Sequence, residues 1–151
     1  MRIIKKILIV LLIALILIQF FRPEKNDAAY REVVDFETET KVSKEVAAIL
    51  KAQCYDCHSN KSEYPWYAEV APVSFWINHH IEEGNEHFNV SKWDTYNDKK
   101  KDHKLDELIE EIEEGKMPLH SYTWMHDAMT QKEKEVLIAW AKKARENYNL
   151  E

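Results

Sequence analysis

The chain is predicted to be all-α. Apolar residues recur at helical spacing in four separate segments after Val42, and period-2 alternation over five or more residues is hard to find there. Only 2 glycines and 4 prolines occur in 151 residues, too few for the many tight turns of a β-sandwich. The length suits one ordinary domain plus an appendage. With 45% hydrophobic and 32% charged residues, most of the chain is expected to fold.

The first element is an apolar run over residues 7–21, ILIVLLIALILIQFF, broken only by Gln19. Its 15 residues rise about 22 Å as a helix. Ile3 and Ile4 extend it, and Lys5 and Lys6 can snorkel toward headgroups, so residues 1–22 are read as a single-pass transmembrane signal-anchor. A cleaved secretory signal is the alternative, but Asp27-Ala28-Ala29 does not make an A-x-A site. Arg2, Lys5 and Lys6 outvote Arg22, which places the bulk of the chain on the extracytoplasmic, periplasmic side of the cell membrane. Residues 23–41 are acidic, lack sustained periodicity and are read as a tether.

The domain proper is assigned to residues 42–148. Ser43 can cap a helix whose stripe Val46, Ile49, Leu50 continues to Cys54 and Cys57. Pro72 and Ser74 open a second helix with Val73, Trp76, Ile77, His80 and Ile81 on one face, closing at Gly84. Leu105, Leu108, Ile109 and Ile112 form a third, stopping at Gly115. Thr130 and Glu133 make a capping box before Val136, Leu137 and Trp140 in the last.

Charge is divided unevenly. The first 22 residues hold four basic side chains and no acid, which leaves 17 basic against 27 acidic residues in the rest, a net of −10. Such a surface repels nucleic acid and favours a basic protein partner. The absence of G-x-G-x-x-G, G-x-x-x-x-G-K and G-x-S-x-G argues against nucleotide binding and α/β-hydrolase chemistry.

Both cysteines fall in Cys54-Tyr55-Asp56-Cys57-His58, which is C-x-x-C-H, the haem-attachment pattern. Two cysteines three apart on a helical turn project to one side, where their thiols can meet two vinyl groups. His58 then stands where a proximal imidazole belongs. Three rivals exist. A disulfide across two residues closes a tiny loop and gains little. A redox dithiol wants a βαβ context. Zinc wants four ligands, so two histidines would have to join the cysteines.

The chain also carries Ser59-Asn60 directly after that motif, Tyr64-Pro65-Trp66-Tyr67, Ala71-Pro72-Val73-Ser74 followed by Trp76, Asn89-Val90-Ser91-Lys92-Trp93, and Met117-Pro118. In these motifs it resembles the bacterial haem-binding domain family of cytochrome c-like proteins over roughly residues 42–145. Phe75, intervening before Trp76, is the one departure. The resemblance implies a cytochrome c-like helical fold and one covalent haem c held by Cys54, Cys57 and His58.

Met117, in a loop ahead of the last helix, resembles the distal ligand loop of monohaem cytochromes c, where proline stiffens the chain beside a weak sulfur donor. His80, on the apolar face of the second helix, is the alternative distal ligand or a propionate partner. Met125 and Met129 are lesser competitors and are read as packing. His87, His103, His120 and His126 are expected to be exposed, with His120 and His126 able to rim the pocket. Tyr64, Trp66, Tyr67, Trp76, Trp93 and Trp124 are expected to pack around the macrocycle, and Glu110, Glu111, Glu113 and Glu114 to form a solvated helix face. These residues point to a membrane-tethered monohaem electron carrier that is not an enzyme. A haem-based sensor and a peroxidase-like enzyme with an open distal site are the alternatives.

Overall fold

Every regular element of the computed structural model is helical; it describes residues 2–148 and contains no strand among them. Met1, the first residue of the expected anchor, lies outside the described residues.

Helix α1 (Arg2–Ile18) is apolar on every side and buries none of its residues. It corrects the expectation of a transmembrane helix. No helix among the described residues is long and apolar enough to cross a membrane, so neither the spanning helix nor a single-pass location in the cell membrane with a periplasmic domain stands. The 17 residues of α1 rise about 26 Å, against roughly 30 Å of hydrocarbon. Gln19 ends the run. Its amide nitrogen donates to the carbonyls of Leu15 and Ala71, both at 2.9 Å, and its oxygen accepts from the Ala71 N–H at 3.0 Å. Phe20 and Phe21, which lengthen the run in sequence, lie beyond the helix.

The segment 23–41 differs from a free tether, because it is bonded across the domain. Asn26 donates to the Ser59 carbonyl and to Ser62 Oγ, each at 2.9 Å, and Asp27 forms an isolated antiparallel bridge with Lys61. Arg31 donates to the Lys61 carbonyl at 2.8 Å and pairs with Asp56 at 2.7 Å. Helix α2 (Val34–Glu39) then delivers Phe36, fully buried, edge-on against Phe88, Trp93 and Trp140. The Trp140 indole closes the arrangement by donating to the Thr40 carbonyl at 2.9 Å.

Helix α3 (Lys44–Gln53) starts where Ser43 accepts from the Val46 N–H, and it buries Val46, Ile49 and Leu50. It runs into the single turn α4 (Tyr55–His58). Helix α5 (Val73–His87) continues three residues past the expected stop at Gly84. Helix α6 (Asp98–Glu113) is capped by Asn97 and buries Leu105, Ile109 and Ile112. After the short α7 (His120–Thr123), α8 (Gln131–Arg145) opens with the reciprocal Thr130–Glu133 capping box and buries Leu137, Trp140, Ala141 and Ala144. Arg145 near the end of α8 reaches Asp102 at 2.7 Å and also Asp106 on α6. The core therefore lies between α2, α3, α6 and α8, with Trp93 of the 3₁₀ segment Val90–Thr95 at its centre. The C-x-x-C-H turn sits at one edge of it, directly after the buried stripe of α3.

Candidate functional site

Cys54 is the hinge between α3 and α4. Its N–H donates to the Leu50 carbonyl at 2.9 Å, and its own carbonyl accepts from Cys57 at 3.2 Å and His58 at 3.0 Å. That tight turn brings both free thiols and the His58 imidazole to the wall of a cavity of about 550 Å³. The size falls within the range of small-molecule and cofactor sites. Leu50, Leu108, Ile112 and Met129 supply much of the apolar lining.

Burial sets the electrostatics. It pushes the Cys54 thiol up to about 12, with Cys57 adding to the shift, and the Cys57 thiol up to about 11, with Asp56 adding to it. Reactive dithiols need the opposite shift, so these groups are poor thiolate nucleophiles at neutral pH. Nor does a group of three or more His, Cys, Asp or Glu side chains converge to hold a metal ion among the described residues, which leaves the zinc reading without its ligands.

His58 is aimed by its outer nitrogen. Nδ1 lies 3.0 Å from the Gly84 carbonyl and 2.8 Å from the Phe88 carbonyl. Both partners can only accept, so Nδ1 carries the proton and Nε2 keeps a free lone pair. Burial holds the imidazole below its usual range, the two carbonyls pull the other way, and His87 adds to the lowering. Backbone carbonyls behind a ligating histidine fix its tautomer and ring plane.

This support requires a glycine at 84. A Cβ there would stand 2.6 Å from the Cys57 carbonyl oxygen and 3.1 Å from its Cβ. The sequence suggests a helix stop at Gly84, whereas its physical role is to let α5 approach the C-x-x-C-H turn. Gly84→Ala is expected to cost about 1–3 kcal/mol of stability, the usual range for overpacking. Thermal unfolding of the purified variant measures this, and an unchanged midpoint would mean that the two segments part freely.

Further lining comes from the chain between α6 and α8. Gly115, at φ +71°, turns the chain, and the N–H groups of Lys116 and Met117 both donate to the Glu111 carbonyl, at 2.9 and 3.0 Å. Met117, half-buried, thereby reaches the cavity together with Pro118, Leu119 and Tyr122. The other two methionines part company. Met129 is buried and lines the cavity, whereas Met125 is exposed and does not.

His80 also lines the cavity, but it extends from α5, the same helix whose Gly84 carbonyl stands behind His58. Its ring meets Trp76 edge-on with centroids 4.6 Å apart. His87 is exposed as expected yet borders the cavity; His120 is exposed and does not. His126, expected at the surface, is half-buried. It stacks on Tyr122 with centroids 4.1 Å apart, and its Nε2 lies 3.2 Å from the Tyr67 hydroxyl.

Tyr122 was not legible as a cavity residue; only its place in the Met117 loop hints at it. Its hydroxyl donates to the Ala52 carbonyl at 2.9 Å, and burial pushes its pKa up. Glu110 and Glu111 border the cavity, so the acidic run is not wholly a solvated face. The aromatics also divide differently from expectation. Trp93 is core, but Trp66, Trp76 and Trp124 are exposed: Trp66 lies on a four-residue 3₁₀ segment and Trp124 at the end of the short α7, whereas Trp76 stands in the first turn of α5, on a side that no other element covers.

Two thiols, an imidazole and a thioether lining one largely apolar cavity fit a bound haem. A family model described as a haem-binding domain matches residues 13–143. No curated protein and no solved structure matches the chain.

Proposed function

The chain belongs to the haem-binding domain family and is a haem-binding protein, and on that premise we propose that it carries one covalent haem c and transfers single electrons. The observation that carries this reading is the pinned His58: Nδ1 is held by two carbonyls while Nε2 faces a cavity that Cys54 and Cys57 share. Bound haem iron supplies a one-electron couple. Cys54 and Cys57 would hold the haem through thioether bonds, each formed by addition of a thiol S–H across a vinyl group. His58 would supply Nε2 as the proximal ligand, and the two carbonyls on Nδ1 would hold its ring in place.

Met117, which lines the same cavity as His58, is proposed as the distal ligand. A neutral thioether in an apolar cavity favours the reduced state and raises the potential. A filled sixth position suits a carrier better than a catalyst. His80 fits a supporting role better, because it shares a helix with the carbonyl behind His58. Glu107, Glu110 and Glu111 border the cavity, which suits a redox partner with a basic surface.

The test is the spectrum of the oxidised, haem-loaded chain. Met117→Ala is expected to abolish a methionine–iron charge-transfer band and lower the potential, whereas Met129→Leu leaves the band in place. A wild-type spectrum that is already high-spin overturns the carrier reading and favours a ligand sensor or a peroxidase-like site.

A further inference from the structure

Apart from Tyr30 and Val34, every large apolar side chain left exposed among the described residues belongs to one of four pieces. These are α1, its exit at Phe20 and Phe21, the stretch 66–76, and the pair Trp124 and Met125. Scattered apolar residues need no explanation, but a concentration of this kind marks an interaction surface. The pieces are joined to one another. Gln19 bonds both backbone groups of Ala71; Arg22 donates to the Glu69 carbonyl at 2.7 Å, and Arg22 and Lys25 both pair with the Glu69 carboxylate; the Tyr67 hydroxyl meets His126, two residues from Trp124.

We propose that this joined face and α1 form a peripheral docking surface for an anionic phospholipid bilayer, which the chain enters without crossing. From Ile7 onward α1 is apolar all round and has no side suited to water. Trp66, 79% exposed, and Trp124, 82% exposed, have the amphipathic rings that settle at headgroup depth. Charge is complementary as well. Arg2, Lys5 and Lys6 precede the apolar run and Arg22 and Lys25 follow it, with no acid in the first 22 residues. The one carboxylate within 66–76, Glu69, is held below the usual carboxylate range by Lys25 and then Arg22.

The docked domain has a set orientation, because residues 23–41 are bonded to it. Tyr122 lines the cavity and stacks on His126, which meets the Tyr67 hydroxyl, so side-chain contacts link the cavity to that surface. The proposal stands apart from the haem reading, and its failure leaves that reading intact.

Hydroxyl-radical footprinting of the full, haem-loaded chain tests it, with and without vesicles of phosphatidylcholine and phosphatidylglycerol. Oxidation of Trp66, Trp76 and Trp124 is expected to fall at least fivefold on vesicles, while Tyr30 keeps its labelling. Trp66→Ser, Phe75→Ser and Trp76→Ser together, all at exposed positions, are expected to weaken vesicle binding at least tenfold with an unchanged unfolding midpoint. Three results overturn the proposal. The chain does not float with vesicles; it floats with full tryptophan labelling, so that α1 alone is engaged; or the tryptophans are protected without lipid and light scattering gives twice the chain mass, so that a second copy covers the face.

Discussion

Replacing Cys54 and Cys57 together by alanine is expected to leave a folded chain with no covalently attached haem. The wild-type chain, coexpressed with a cytochrome c maturation system, should keep haem through a denaturing gel at 18.0 kDa. The double variant should show none. The expected effect is all-or-none because thioether bonds survive denaturation, whereas ligation through His58 alone does not. Loss of fold does not confound the result. Both side chains are half-buried on a cavity wall, while the residues that close the core beside them, Leu50 and Tyr55, are untouched. Haem that leaves the wild-type chain on the gel would show that the two thiols serve another purpose, and the C-x-x-C-H turn would have to be reread.

Phe36→Ala is expected to destabilise the domain by about 3–5 kcal/mol, the range for deleting a buried aromatic side chain. Phe36 is 0% exposed and makes edge-to-face contacts with Trp93, Trp140 and Phe88, at centroid distances of 5.0, 5.8 and 6.1 Å. Denaturant unfolding of the variant measures the loss as a lower midpoint at unchanged slope. A loss within about 0.5 kcal/mol, typical of a surface substitution, would return residues 23–41 to the status of a loose tether.

Phe36 leaves no local pattern in the sequence. Helix α2 has six residues, too few to show the i, i+3, i+4, i+7 pattern that reveals longer helices. Its burial depends on partners at positions 88, 93 and 140, far away in the chain. The longer helices were legible for the opposite reason. Helices α3, α6 and α8 each run ten or more residues and carry apolar stripes at i, i+3, i+4 spacing, and the Thr130–Glu133 box marks the start of α8 with local hydrogen bonds alone.

Gln19 and Gly84 show how a local reading can be overruled. In sequence, Gln19 is one polar interruption in an apolar run that appears long enough, with its neighbours, to span a bilayer. In the fold its amide is spent on Ala71, 52 residues away, and the helix stops at Ile18. Gly84 reads as a helix end by composition. It lies inside α5 because the Cys57 carbonyl needs the space that a Cβ would take. Neither outcome is encoded within a turn or two of the residue itself.

By itself the sequence determined the all-α class, the positions of the long helices and the chemical group at stake, since C-x-x-C-H is a local pattern whose spacing serves its chemistry within one helical turn. Tertiary structure alone decided which methionines reach the cavity, which nitrogen of His58 is free, and that Tyr122 forms part of the wall. It also folded residues 23–41 into the domain and bonded the stretch 66–76 to the end of α1. Periodicity and spacing act within a few residues, whereas burial, hydrogen-bond partners and close backbone approach are set by segments that meet only when the chain has folded.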